Sequence, residues 1–212
     1  MNRRAALLLL VLILAACASG AHNNAAIPGE ASRGPTQTLV TFGGSATEGD
    51  GVRDRLRDAW PYLVFDAALP QGTVLVNAAL DGATVKNAIA AQLPVADETH
   101  PHIAAVWLGA DDLVAHTPIP HFKAALVQFI GALKRLGVRR ILVANLPKSY
   151  GPGATPYNDA IEQVVYANAV EPVDLSALDI PLRPVDGLPP QPDATGHRLV
   201  ANAFEQALRA QP

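Results

Sequence analysis

The residues able to do chemistry sit in three short segments and one C-terminal pair. Gly43-Gly44-Ser45 opens a stretch that reaches Gly49-Asp50-Gly51, directly after an apolar run. Asn77 to Gly82 follows a second such run, and Gly109 to Asp112 a third. Asp193 stands four residues before His197. Each has an ordinary structural explanation. A serine after glycines caps a turn or helix. Asn77 and Gly82 fit core packing behind a sheet, and Asp111-Asp112 fits loop capping better than a metal, for which a lone acidic pair is weak evidence. Asp193 and His197 share a face if the chain is helical there, so their spacing alone implies only a local contact. His116 and His121 each lie near a proline in a loop and read as solvated.

What gives these segments weight is the scaffold that must carry them. Runs at 38–42, 74–77, 103–108 and 141–144, with a weaker one at 170–175, are short and largely apolar rather than cleanly alternating. Such runs suit parallel strands buried on both faces. Helical stretches separate them, at 61–69, 84–93, 122–136, 157–168 and 197–209. In the third of these, Phe122, Leu126, Phe129, Ile130 and Leu133 recur at spacings of three and four until Gly137 stops the helix. Strand–helix alternation of this kind predicts a three-layer α/β/α sandwich around a parallel sheet of about five strands, of the flavodoxin-like sort. Ligands in such sheets sit beyond the carboxyl ends of the strands. The loops 43–51, 78–83 and 109–116 therefore converge on one end.

The start of the chain bears on location. Arg3 and Arg4 precede an apolar run from Ala5 to Ala16, too short to span a bilayer comfortably. The run closes on Leu14-Ala15-Ala16-Cys17, which resembles the bacterial lipobox. That resemblance implies a signal peptide over 1–16 and diacylglycerol on Cys17, anchoring the protein to a membrane on its extracytoplasmic side. The alternative is an ordinary signal peptide with a cysteine there by chance. Residues 17–36 read as a flexible tether and 37–212 as the domain. Cys17 is the only cysteine, so the fold has no internal disulfide. A net charge of −3 with both signs interspersed and 5% aromatic residues argues against nucleic acid as a partner. Nor does the glycine-rich stretch after the first strand fit Gly-x-Gly-x-x-Gly or a phosphate loop.

Taken in order, the strand-end segments resemble the blocks of the SGNH (GDSL-type) hydrolase family. Gly43-Gly44-Ser45-Ala46-Thr47-Glu48-Gly49 is similar to Gly-Asp-Ser-x-Thr-x-Gly, with Gly44 at the family aspartate. The resemblance makes Ser45 the nucleophile. Asn77-Ala78-Ala79-Leu80-Asp81-Gly82 is similar to Asn-x-Gly-x-x-Gly, with Ala79 where a glycine N–H serves the oxyanion. Gly109-Ala110-Asp111-Asp112 is similar to Gly-x-Asn-Asp, with Asp111 in place of the asparagine donor. An ionised carboxylate has no donor and repels an oxyanion, and losing one such donor costs about 3 kcal/mol. The oxyanion site so implied is Ser45, Ala79 and Asp111.

The fourth block, Asp-x-x-His-Pro followed by Gly-His in the family, fits two ways. Anchored on Pro192 and Gly196-His197, the base position holds Gln191; anchored on Asp186-Gly187-Leu188, it holds Pro189. Neither accepts a proton. Substitutes are His197 as base with Asp193 or Asp186 orienting it, or His116 or His121 from another direction. The family implies a serine esterase without cofactor or metal, acting on an acetylated sugar, short-chain ester or lysolipid. The rival reading is a catalytically impaired module of the same fold that binds a glycan or envelope component. Oligomeric state is left open.

Overall fold

The computed structural model describes residues 37–210 except Gly187, and for Pro189 only its backbone. The expected signal peptide, Cys17 and the tether lie outside the described residues. The central sheet is built from β1 (Gln37–Gly43), β2 (Thr73–Asn77), β3 (Ile103–Trp107), β4 (Arg140–Ala144) and β5 (Glu171–Val173). All neighbours are parallel, in the order β2-β1-β3-β4-β5. This is the three-layer α/β/α sandwich with a five-stranded parallel sheet that the strand–helix alternation implies.

Helices cover both faces. They are α1 (Ser45–Glu48), α2 (Arg55–Asp58), α3 (Trp60–Ala68), α4 (Val85–Ala91), α5 (Leu93–Thr99), α6 (Ala110–Val114), α7 (Ile119–Arg135), α8 (Thr155–Asn168) and α9 (Ala194–Arg209). Successive strand side chains point to opposite faces, and the apolar ones divide accordingly. Val40, Phe42, Ala104, Val106, Ile141 and Val143 pack with Val85, Phe122, Phe129 and Ile161, the side of α4, α7 and α8. Leu39, Ile103, Ala105, Trp107 and Leu142 pack with Trp60, Val64, Val200 and Phe204, the side of α3 and α9. Burial on both sides is why the strands lack alternation in sequence.

The five longer helical expectations match α3, α4, α7, α8 and α9 to within a few residues. In α7 the apolar set at three-and-four spacing is the buried set, and Gly137 follows the helix with φ +79°. Four short helices have too few residues to show periodicity. A last pair of strands is hidden for another reason. β6 (Leu182–Val185) and β7 (Leu188–Pro192) form an antiparallel hairpin apart from the main sheet. Pro184, Pro189, Pro190 and Pro192 lie in it, and proline reads as a strand breaker because it cannot donate to a ladder. A two-stranded ribbon consists only of edges, where that loss is tolerated. The hairpin brings Gln191 over the carboxyl end of the sheet.

Candidate active site

Ser45 is the first residue of α1, directly past the end of β1. Gly44 caps that helix, its carbonyl accepting from Thr47 N at 2.9 Å and Glu48 N at 3.0 Å. The turn is tightly held. A Cβ on Gly43 would lie 2.0 Å from Thr47 Oγ1 and 2.8 Å from the Trp107 carbonyl oxygen, so glycine is required there by space. The fully buried Gln92 brackets the same residue: Nε2 donates to the Gly43 carbonyl at 2.8 Å, and Oε1 accepts from Gly43 N at 3.2 Å. Asn77 joins two of the sequence blocks, accepting from Thr41 Oγ1 at 2.9 Å and donating through Nδ2 to the Thr47 carbonyl at 2.9 Å. Thr47 Oγ1 in turn accepts from Trp60 Nε1 at 3.3 Å. The serine is thus presented by a turn with few ways to move.

The Ser45 side chain is buried, 1% exposed. Its Oγ accepts from Gly82 N at 3.2 Å, which holds the loop after β2 against the serine. Ser45, Gly44, Ala46, Trp107, Ala110, Asp111, Tyr150 and Gln191 enclose a cavity of about 10 Å³. Asp111 packs against the altered first block. Its Oδ2 lies 1.9 Å from where a Cβ on Gly44 would be, so a side chain at residue 44 would require the Asp111 carboxylate to turn away. The two departures form one packing unit. Burial first, then the neighbouring Asp112 and Asp81, push the Asp111 carboxyl up to about 6. The same carboxylate lowers the acidity of the Tyr150 hydroxyl, though burial contributes more.

Glu48, Asp50 and Asp81 form an acidic group with Arg55. Asp81 is held below the usual carboxylate range: its burial works the other way but is outweighed by its neighbours Asp50, Glu48, Ser45 and Arg55. Asp50 is pushed up to about 6, first by burial and then by Asp81, and Glu48 is raised for the same two reasons. Arg55 bridges Glu48 at 2.8 Å and also pairs with Asp50. Of the three, Asp81 therefore gives up its proton most readily, and Asp50 and Glu48 hold theirs longer. Asp112 is elsewhere, with Oδ2 accepting from Val85 N at 2.8 Å at the start of α4. Among the described residues no three His, Cys, Asp or Glu are grouped to hold a metal ion.

Three sequence expectations for this site need correction. His197 does not reach Ser45 as a base. It is fully buried, with Nδ1 accepting from Trp60 N at 3.3 Å and Nε2 facing the Asp50 carbonyl at 3.1 Å. A carbonyl needs a donor, so the proton is on Nε2 and both nitrogens are committed. The ring satisfies an orphan N–H at the start of α3, and burial lowers its pKa. Asp193 does not orient that ring by a hydrogen bond: its carboxylate caps α9, accepting from Thr195 N at 2.8 Å and Gly196 N at 2.9 Å. Asp186 is exposed in the turn of the hairpin. Ala79 does not offer its N–H to the cavity, since Asn77 Oδ1 takes it at 3.2 Å.

Other placements agree with the sequence blocks. Ser45, Gly44 and Asp111 meet at one cavity, and Gln191 joins them from β7. That is the register given by anchoring on Gly196-His197. His116 and His121 are exposed around the α6–α7 connection. Sequence reasoning passed over Asp81, Gln92, Trp107 and Tyr150. Only Asp81 carried a signal, as the acidic residue next to Gly82 in the second block.

Against known proteins, residues 41–199 match the model of the GDSL-like lipase/acylhydrolase family. An arylesterase of Vibrio mimicus is 26% identical over 171 residues, covering 75% of this chain and 82% of that protein. Among solved structures, the acetylxylan esterase Axe2 of Geobacillus stearothermophilus shares the fold with a TM-score of 0.68 at 18% identity, covering 84% of this chain and 96% of its own. The esterase EstA of a Pseudoalteromonas species does so with a TM-score of 0.67 at 18% identity, covering 82% and 97%. With the family match spanning the sheet, the Ser45 turn and the start of α9, the chain belongs to the GDSL-like lipase/acylhydrolase family and, with it, to the carboxylic ester hydrolases.

Proposed function

We propose that this enzyme is a serine esterase for small acyl groups, above all acetyl, on an extracytoplasmic substrate such as an acetylated sugar. The observation that carries the reading is the small cavity that Ser45 lines. At about 10 Å³ it has room for roughly one water molecule. An acetyl methyl is of that size; the acyl chain of a lysolipid is not. Ser45 Oγ attacks the ester carbonyl, and the Ser45 backbone N–H, at the open start of α1, supports the oxyanion. The lipobox-like Leu14-Ala15-Ala16-Cys17 supports anchoring outside the cytoplasm, where many esters would be within reach.

The test is hydrolysis of activated aryl acetate and octanoate by the full chain in detergent, beside Ser45→Ala. Acetate turnover that falls at least about a hundred-fold in the variant, with octanoate much slower, is the expected result. Equal rates for both proteins would overturn it. One set of observations favours the rival reading of a glycan-binding module: the committed ring of His197 and the diverted N–H of Ala79. That reading predicts no Ser45-dependent turnover of any acetate. For the anchor, Cys17→Ala should move the protein from membrane to soluble fraction; retention on the membrane would remove Cys17 from the account.

A further inference from the structure

The chain has two tryptophans, and the fold treats their indole nitrogens differently. Trp60 Nε1 donates to Thr47 Oγ1 at 3.3 Å. Trp107 Nε1 is buried and has no hydrogen-bond partner among the described residues. A buried donor in that state costs free energy and calls for an explanation, and the position of Trp107 supplies one. It is the last residue of β3, in register with Gly43 of the nucleophile turn, and it forms part of the wall of the Ser45 cavity. Its ring is otherwise set in the core on the α3–α9 side, edge to face with Trp60 at 6.4 Å between centroids.

Donors are what this cavity otherwise lacks. Of the three groups that the sequence blocks assign to the oxyanion, the Ala79 N–H is taken by Asn77 Oδ1 at 3.2 Å. Asp111, once ionised, has no hydrogen to give. Of that set only the Ser45 N–H remains. We infer that the Trp107 indole N–H is the second oxyanion donor of this esterase, hydrogen-bonding the acyl oxygen of an ester as Ser45 attacks. The inference rests on Ser45 being the nucleophile, as proposed above. An indole N–H donates and cannot accept, so it suits an atom on which negative charge builds. That bond is stronger in the transition state than with the uncharged ester, which is the condition for lowering the barrier. Core packing holds the ring in place, and burial keeps water from competing for the N–H, so the donor is in position before substrate arrives. An acetyl group carries its oxygen two bonds from its methyl, so a methyl seated in the cavity keeps the oxygen at its wall. The donor missing at residue 111 is thereby replaced from the end of the same strand.

The experiment uses the full chain in detergent with isotopically labelled tryptophan. The two indole N–H signals are followed by NMR before and after an organophosphonate modifies Ser45, its phosphoryl oxygen standing in for the oxyanion. Trp107→Phe assigns the signals. Alongside, kcat and KM are measured for an aryl acetate and for its thionoacetate, in which sulfur, a poor acceptor, replaces the carbonyl oxygen. The Trp107 signal should move downfield on modification. Trp107→Phe should lose about a hundred-fold in kcat on the acetate with KM little changed, and distinctly less on the thionoacetate. Acetate turnover within about threefold of wild type would overturn the inference. So would equal losses on the two esters, which a residue that only packs would give. If Trp107→Phe does not fold, wild type decides: one indole signal moving downfield supports the inference, and neither moving overturns it. Turnover that survives in Ser45→Ala would overturn the nucleophile itself. Ser45 modified with both indole signals unmoved would overturn only the role of Trp107.

Discussion

Asp111 sets the electrostatics beside Ser45. Its carboxyl, raised to about 6, is ionised at neutral pH and places negative charge in the cavity it shares with Ser45, which under the proposed function opposes the oxyanion. Asp111→Asn keeps the shape, removes that charge and supplies an N–H. Hydrolysis at pH 8 should rise about tenfold or more, measured as kcat/KM for an aryl acetate; an unchanged rate would mean that residue 111 does not face the oxyanion. The same residue affects stability. A carboxyl whose folded pKa lies above its unfolded one stabilises the fold when protonated, in full below about 3.8, and the benefit is lost as pH rises through about 6. Asp50 has the same sign and range. The melting temperature should therefore be higher at pH 5 than at pH 8, and Asp111→Asn should flatten that difference. A melting temperature that climbs from pH 5 to 8 would contradict both shifts. None of this could be read from the string Gly-Ala-Asp-Asp. Depth of burial and the approach of Oδ2 to Gly44 are properties of the fold, and the sequence offered the two departures only as separate losses.

Among the elements, α7 shows how a helix is specified by its buried face. Phe129 is fully buried and meets Phe42 edge to face, with centroids 5.4 Å apart. Phe129→Ala should cost about 3–5 kcal/mol, checked by denaturant unfolding; a cost below about 1 kcal/mol would refute the packing described. Such helices and the buried strands were legible because period and apolarity are local properties. The hairpin β6–β7 was not, since its prolines erase the usual strand signal. His197 shows the matching limit for a single residue. Its place at the start of α9 was clear from Gly196-His197, but its partners, Trp60 N and the Asp50 carbonyl, come from segments more than a hundred residues away. Those two bonds join α9 to α3 and to the loop behind Ser45. Losing them by His197→Ala should cost roughly 2–4 kcal/mol. Material that stays folded should keep more than a tenth of its esterase rate, whereas loss of all turnover in folded protein would restore His197 as the base.

For the whole molecule, the sheet order, the two cores and the convergence of three strand-end loops follow from one parallel α/β plan. The order of blocks in the sequence was enough to identify that plan and to single out Ser45. It was not enough to find a proton acceptor, because the family position for it holds Gln191. The central claim is that Ser45 works beside the buried carboxyl of Asp111, which serves best when protonated. That condition holds only on the acid side of neutrality. The most direct test is the pH dependence of kcat/KM for an activated acetate, with the Ser45→Ala rate subtracted at every pH. The account predicts a maximum below pH 6 and a decline as pH rises through about 6, where Asp111 ionises. A rate that climbs through about 6.5 to a plateau near pH 8, as an imidazole base requires, would contradict it.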